Sequence, residues 1–527
     1  METRFGRKWK PVLKPDPECE TPRATRERRW VTGGLVCLLI LAICRMTQRI
    51  VDPDLWHELA LAREIVRLHY VPTIDSFSYL PTIPVVDHEW GAGMLAYLAF
   101  RLAGFPAIMV LNLALACGAL LLAVIRPTGH RTHPGLLAIC GLVALPLIAR
   151  GFPPVRAQAY SFLFFVALLS AVEAGKEASR KWLLWWLPVF VLWLNIHASF
   201  VLAFAVVGLS LAVAVFGGRA AGGLRFHLLL LTAMTALISV NPYGPVFYAR
   251  VLHGVAMQRN LIGEWGPVWS AAILPSVFLV LPLSVVGLLY AFRCRRFDIH
   301  SVTVLVVIGT AACLHAKLLP YYAFAWLFYC PKWIEGTSFS REVTAIIAEN
   351  SRTAALLWCG ITVAAVLGSL WLGFWRAEIP ERPRGDAPYY PVGAVEFLRD
   401  NGFKGNLMTP FNQGAYVSWR LYPNVRVSMD SRYETAFPES SVLQNLRAYS
   451  GDDWEPFASR YGADAILSPR NSAIESRLAR SQWAPVYCDQ SFSIFARPGG
   501  TLASEQHRPC KTEPQPPRVS ASPRRIE

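Results

Sequence analysis

Charge is what this sequence has least of. Of its 527 residues only 17% are Asp, Glu, Lys or Arg, while 54% are hydrophobic. A soluble domain carries about 25% charged residues, so the class is a polytopic α-helical membrane protein. Familiar catalytic signatures are also missing. There is no phosphate-cradling G-x-x-x-x-G-K-S/T loop, no G-x-S-x-G elbow and no H-E-x-x-H pair. None of the eleven cysteines forms a C-x-x-C pair, which argues against structural zinc. Cys37, Cys44, Cys117, Cys140, Cys313 and Cys359 lie in apolar runs, where free cysteine acts as a small hydrophobe. Cys488 and Cys510 alone fall in the polar C-terminal region, where a bridge is feasible. There is no internal repeat. The net charge of +15 gathers in tails and short loops without an interleaved basic and aromatic surface, so no nucleic-acid partner is expected.

What is present is a chain of apolar runs. Residues 1–30 form a basic tail, and 31–50 follow as a retained first span, because no small-residue cleavage site ends it. Further spans are expected near 105–125, 135–149, 158–174, 182–197, 199–216, 226–240, 271–292, 300–316, 318–335 and 354–375, eleven in all. The block 182–216 must hold two helices turning near Asn195 and His197. With the N-terminus cytoplasmic, the inside loops become Arg126–His133, Lys176–Lys181, Gly217–Arg225, Arg293–Arg296 and Lys332–Arg352. Each carries Lys or Arg, as the positive-inside bias requires.

That alternation puts the polar residues on one face. Asp52, Asp54, Glu58, Asp75, Asp87, His88, Glu89, Arg150, Arg156, Gln158, Asn195, His197, Asn241, Glu264, His315 and Lys317 all reach the outer side. Charges near membrane depth are costly and mark sites or pathways. Transporters need polar groups near mid-membrane, so a transporter fits less well.

The densest group is the large first outer loop, 51–104, where Asp52-Pro53-Asp54-Leu55-Trp56-His57-Glu58 precedes Asp87-His88-Glu89-Trp90. Trp56, Leu59, Ala60, Arg63, Ile65 and Val66 describe an amphipathic helix along the membrane interface. Pro72, Asp75, Ser76 and Phe77 form a turn, and His88-Glu89-Trp90 opens another helix. Folded together, the acidic clusters offer a general base for an acceptor hydroxyl or oxygen ligands for a divalent cation, Mg or Mn, at Asp52 and Asp54. The plainer reading is that Asp52 and Asp54 cap the helix. Arg156 and Gln158, beside Arg150, fit a lipid phosphate or snorkelling to the interface. His315 with Lys317 makes a second cationic pair. Asn195 and His197 orient a sugar or carboxylate, or bond across helices.

Residues 376–391 form a Pro- and Arg-rich linker, 392–497 a compact extracytoplasmic α/β domain, and 498–527 a disordered polar tail. A helix is expected at Ala394–Asn401, ending at Gly402, and another at Asp453–Tyr461. Strands are expected at Gly405–Thr409, Ala415–Arg420, Val425–Met429 and Asp464–Ser468, and a hairpin from Trp483–Tyr487 and Ser491–Ala496. Asn412-Gln413-Gly414 and Asp430-Ser431-Arg432-Tyr433 sit at strand ends, where ligands often bind; a structural Asp430–Arg432 ion pair is slightly favoured.

The segments DPDLWHELALAREIVRLHYVPTIDSFSY and VDHEWGAGMLAYLAFRL resemble those of bacterial multi-pass GT-C-type glycosyltransferase-like membrane proteins. The resemblance continues through VRAQAYSFLFF, LNIHASF, NPYG, GEW, HAKLLPYYAFA and AVEFLRDNGFKGNLMTPFNQGAYVSWRLYPNVRVSMDSRYE, and so covers most of 31–497. It implies a GT-C-like fold in the inner membrane and a polyprenyl-phosphate-linked sugar as donor, with a glycan, lipid or protein as acceptor. The base or metal-ligand role then falls on Asp54, with Asp52, His88 and Glu89 in support. Substrate-binding candidates are Glu58, Arg156, Gln158, Asn195, His197, Glu264, His315 and Lys317. Three positions depart from the family pattern. Glu58 stands where histidine is usual, with His57 one position earlier and so turned by about 100° on a helix. VRAQ lacks the proline of R-P-Q, and Lys317 replaces an arginine. The competing reading is a non-catalytic scaffold or sensor that binds a glycan or protein through its outer domain.

Overall fold

The computed structural model describes residues 52–124, 132–152, 155–177, 182–216, 221–257, 263–270, 277–278, 280–294, 297–349, scattered positions from 352 to 367, and 390–504. The basic tail, the first expected span, most of the linker and most of the C-terminal tail lie outside these residues, with parts of the spans expected at 271–292 and 354–375.

Thirteen helices precede the C-terminal part among the described residues: α1 Pro53–Leu68, α2 Trp90–Ala103, α3 Phe105–Val124, α4 Pro134–Ile148, α5 Gln158–Glu177, α6 Trp182–Ile196, α7 Val201–Phe216, α8 Ala221–Leu237, α9 Val246–Ala256, α10 Val280–Arg293, α11 Ile299–Leu314, α12 Leu319–Ile334 and α13 Ser338–Glu349. Their starts follow from local chemistry. The Asp52 carboxylate accepts the Asp54 N–H at 3.0 Å ahead of Pro53, and Asp298 accepts the Ser301 N–H at 3.1 Å to open α11. Such caps satisfy amides that have no partner inside the helix. The chain breaks between α6 and α7 at His197, as expected, with a 3-10 turn at Ala198–Phe200. Two helices were not anticipated: α9, and α13 within the expected inner loop.

Two described stretches are long and apolar enough to cross a membrane, Trp90–Val124 and Ala198–Phe216, with mean hydropathy 2.5 and 2.6. Six shorter apolar helices accompany them. These findings leave the expected total of eleven spans unconfirmed. The core of the helical body is aromatic: Phe162 lies 5.0 Å from Phe152 and 4.9 Å from Tyr321, ring centre to ring centre.

The C-terminal part is a five-stranded sheet with helices. Besides a single helical turn at Tyr433–Ala436, its elements are α14 Val392–Asp400, β1 Gly405–Met408, α15 Gly414–Leu421, β2 Val425–Val427, α16 Glu439–Tyr449, α17 Trp454–Arg460, β3 Ala465–Pro469, α18 Ala473–Leu478, β4 Ala484–Cys488 and β5 Phe492–Ala496. The strand order is β2-β1-β3-β5-β4. β2, β1 and β3 run parallel, while β5 is antiparallel to both β3 and β4. The segment expected as a strand at Ala415–Arg420 is α15, a helix. Tertiary packing overrides its β-branched and aromatic composition here. Tyr416 reaches Trp56, and the Trp419 carbonyl accepts from Arg63 at 2.8 Å.

α1 does not lie along a lipid interface. Its apolar stripe is buried between α2 and α15, and Trp56 is 0% exposed with its ring edge-on to Tyr390, Tyr416 and Phe105. The C-terminal part of the chain, rather than lipid, takes the amphipathic face. Gly93 of α2 makes this packing possible: a Cβ there would stand 2.8 Å from the Glu58 carbonyl oxygen. The first loop also extends the sheet. Ser78 pairs in parallel with Val427, the Tyr79 N–H donates to the Val427 carbonyl at 3.0 Å, and the Val427 N–H to the Phe77 carbonyl at 3.0 Å. Arg432 completes the join, pairing with Asp430 at 2.7 Å and with Asp75 of the loop.

Candidate active site

The two acidic clusters do fold together. Asp52 and Asp54 occupy the first turn of α1, Glu58 stands one turn on, and Glu89 begins α2, which packs along α1. His57 and Asp87 lock the clusters side by side through a buried 2.9 Å bond. The other Asp87 oxygen accepts the Glu89 N–H at 2.7 Å, and the Asp87 N–H donates to the Tyr243 hydroxyl at 2.9 Å.

Each carboxylate has different company. Asp52 pairs with Arg156 at 2.8 Å besides capping α1. Glu89 lies 3.5 Å from His88 Nε2 and 3.3 Å from His197 Nε2. Burial opposes its ionisation, but the His88 hydrogen bond and the cationic surroundings hold its carboxyl well below the usual range. Asp54 accepts no hydrogen bond and joins no ion pair among the described residues. Burial first, then the charges of Asp52 and Glu89, push its carboxyl well above the usual range, against Arg156 and Lys317. Glu58 is 3% exposed and is pushed up by burial and by Glu89, Asp54, Asp87 and Asp52.

The cations stand opposite. Arg156 makes a two-pronged pair with Glu264, both contacts at 2.8 Å. Its guanidinium is therefore held by Glu264 and Asp52 together. Lys317 is more loosely engaged, 3.8 Å from Glu264 and 5.6 Å from the centre of the Trp265 ring. Gln158 donates to the Lys317 carbonyl at 3.4 Å, and exposed His315 contacts the Trp265 carbonyl at 3.0 Å through Nδ1. These two residues shape the loop that carries Lys317. Asn195 uses its amide on the Val191 and Val240 carbonyls, both at 2.9 Å, and braces helix ends.

His197 has a defined tautomer. Its Nδ1 accepts the Ser199 N–H at 3.0 Å, so the proton sits on Nε2 and is directed at Glu89. Ser161 Oγ, which accepts from Trp193 Nε1 at 2.8 Å, also meets this Nδ1 at 2.9 Å. Burial lowers the ring to about 3, so it stays neutral at pH 7. Sequence reasoning missed Ser161, Trp193 and Tyr243 as site partners, because a lone hydroxyl or indole in an apolar run reads as packing. The pairing of His57 with Asp87 was signalled by the two polar clusters, though not its geometry.

No protein-family model and no curated protein sequence matches the chain. Solved structures do match. The oligosaccharyltransferase of Archaeoglobus fulgidus, tethered with an acceptor peptide containing the NVT sequon, superposes with TM-score 0.55 at 12% identity, over 84% of this chain and 69% of that one. ArnT from Cupriavidus metallidurans, in the apo state, superposes with TM-score 0.53 at 16% identity, over 90% of this chain and 99% of that one. The fold is GT-C-like. The archaeal protein, AglB, has also been solved with an inhibitory peptide and a dolichol-phosphate, and with Zn and sulfate.

A divalent cation at Asp52 and Asp54 is a poor fit. Among the described residues no group of three or more His, Cys, Asp and Glu side chains is placed to hold a metal. Asp52 is already committed to Arg156 and to its cap, which leaves Asp54 as the one uncommitted carboxylate of that pair.

Proposed function

We propose that this chain is a membrane glycosyltransferase that takes a sugar from a polyprenyl-phosphate carrier at the extracytoplasmic face and passes it to a glycan, lipid or protein hydroxyl. The observation that carries the proposal is Asp54: a carboxylate without a partner, held above the ordinary acid range, beside a cationic wall. A general base works best when its pKa approaches the operating pH. In the proposed reaction Asp54 takes the acceptor's hydroxyl proton as that oxygen bonds to the anomeric carbon. The bond from that carbon to the carrier phosphate breaks, and its electron pair leaves with the phosphate. Lys317, the more loosely paired cation, neutralises the leaving group, while Arg156 fixes Glu264 and Asp52. Stabilisation of developing charge is often the largest catalytic contribution. Glu89, held ionised, is a fixed anion rather than the base. Inversion at the anomeric carbon is carried over from the family resemblance.

Two further observations support this reading. Cys488 is disulfide-bonded, which suits an outer domain in an oxidising compartment. Of the two polar segments at strand ends in the C-terminal part, the one around Arg432 is spent internally, since Arg432 is held by Asp430 and Asp75. The test is mass spectrometry of polyprenyl-phosphate sugars in cells with and without the protein. Accumulation of one species on deletion, rescued by the wild type and not by Asp54→Asn, is expected. An unchanged lipid pool returns the scaffold to first place.

A further inference from the structure

Arg156 and Glu264 meet as a fork. Both prongs of the guanidinium reach the two carboxylate oxygens at 2.8 Å, and Lys317 Nζ stands 3.8 Å from one of them. Burial opposes ionisation of Glu264, but Arg156, then Lys317 and Arg150, hold its carboxyl down at about 2. Three cations thus converge on one carboxylate. That carboxylate is more open than its neighbours: its side chain is 39% exposed, against 9% for Asp52, 6% for Asp87 and 21% for Glu89. Its backbone, by contrast, is fixed. Glu264 lies in the 3-10 turn Gly263–Trp265, and the residues that follow are laced to the segment carrying Lys317. The Ala316 N–H donates to the Gly266 carbonyl and the Val268 N–H to the Cys313 carbonyl, both at 3.0 Å. Glu264 can therefore leave Arg156 by turning its side chain into solvent while the loop stays in place.

We propose that the Glu264 carboxylate is a stand-in for the donor's phosphate: it occupies the anion subsite made by Arg156 and Lys317, and the phosphate displaces it on binding. The inference rests on the donor reading above and adds to it a competition built into the site. The geometry suits the exchange, because a guanidinium fork matches carboxylate and phosphate oxygens alike. The charge suits it too. A sugar joined to a polyprenyl phosphate is a phosphodiester with one negative charge, the same as the carboxylate it replaces. Arg156 keeps Asp52 throughout; only its pair with Glu264 is exchanged. The consequence is a lower affinity for the donor, since a site whose open form is only partly populated binds more weakly by that fraction.

Titration calorimetry of the full chain in detergent with farnesyl phosphate tests it, with farnesol as the control for partitioning of the tail. Glu264→Gln removes the competing charge and is expected to bind farnesyl phosphate about fivefold or more tightly than the wild type, the size expected of one partly exposed charge pair. Glu264→Asp, whose shorter arm cannot keep both prongs, is expected to fall between the two. It decides the matter alone if Glu264→Gln does not fold. Binding in the variants that equals or falls below that of the wild type overturns the stand-in and leaves the donor reading standing. If neither the wild type nor the variants bind farnesyl phosphate beyond the farnesol control, the donor reading fails and the stand-in falls with it.

Discussion

Asp54 and Glu58 share one side of a short helix that Asp52 caps, and the chemistry of the three differs because their partners differ. Asp52 is spent on a cap and an arginine, Glu58 is enclosed, and Asp54 is left to act. Asp54→Asn is expected to lower transfer by at least about 100-fold, within the usual range for loss of a general base, with folding retained on gel filtration. Asp54 must be ionised to accept a proton, so activity falls as pH drops through its raised pKa. The acidic limb of the rate profile should therefore lie above the ordinary value of 3.8. Glu89→Gln removes a neighbouring negative charge and should move that limb to lower pH in whatever activity remains. An unmoved limb would separate the two groups. The neutral His197 has a stability signature of its own. Its folded pKa of about 3 is below the ordinary 6.5, so its contribution is present above pH 6.5 and is lost as pH falls towards 3. Melting curves between pH 7 and pH 4 should decline less steeply in His197→Asn than in the wild type.

Among the elements, the contact between α1 and α2 sets the spacing of the acids. Gly93→Val would drive a side chain into the Glu58 backbone. It is expected to destabilise by about 1–3 kcal/mol, as overpacking does, and to reduce transfer by displacing Glu89; a melt and a rate assay on one preparation check both. Periodicity made most of these elements legible, including the break at His197 and the hairpin of β4 and β5. It misled at α15, whose aromatic and β-branched residues read as a strand until Trp56 and Arg63 are seen to claim them. It misled at α1 as well, because an amphipathic stripe does not say whether lipid or protein covers it.

For the molecule as a whole, the C-terminal part and the segment between α1 and α2 are one unit, joined at Arg432. The side chains of Arg432, Asp75 and Asp430 are 3%, 0% and 1% exposed. Arg432→Ala strands two buried carboxylates, and removing one partner of such a group typically costs about 3–5 kcal/mol. Chemical denaturation should show that loss, and limited proteolysis should cut the first loop faster than in the wild type.

The strip from Phe77 to Tyr79 has a consequence for the timing of synthesis. Ser78 and Ser428, which bond across this seam, are 350 residues apart in the chain. At about 5–20 residues per second, the loop emerges roughly 20–70 s before the strand it must meet. Until then its edge has no mate, and the ribosome is still building the helices between them. The acids of the first loop are thus among the earliest parts of the site to be made and among the last to be fastened in place.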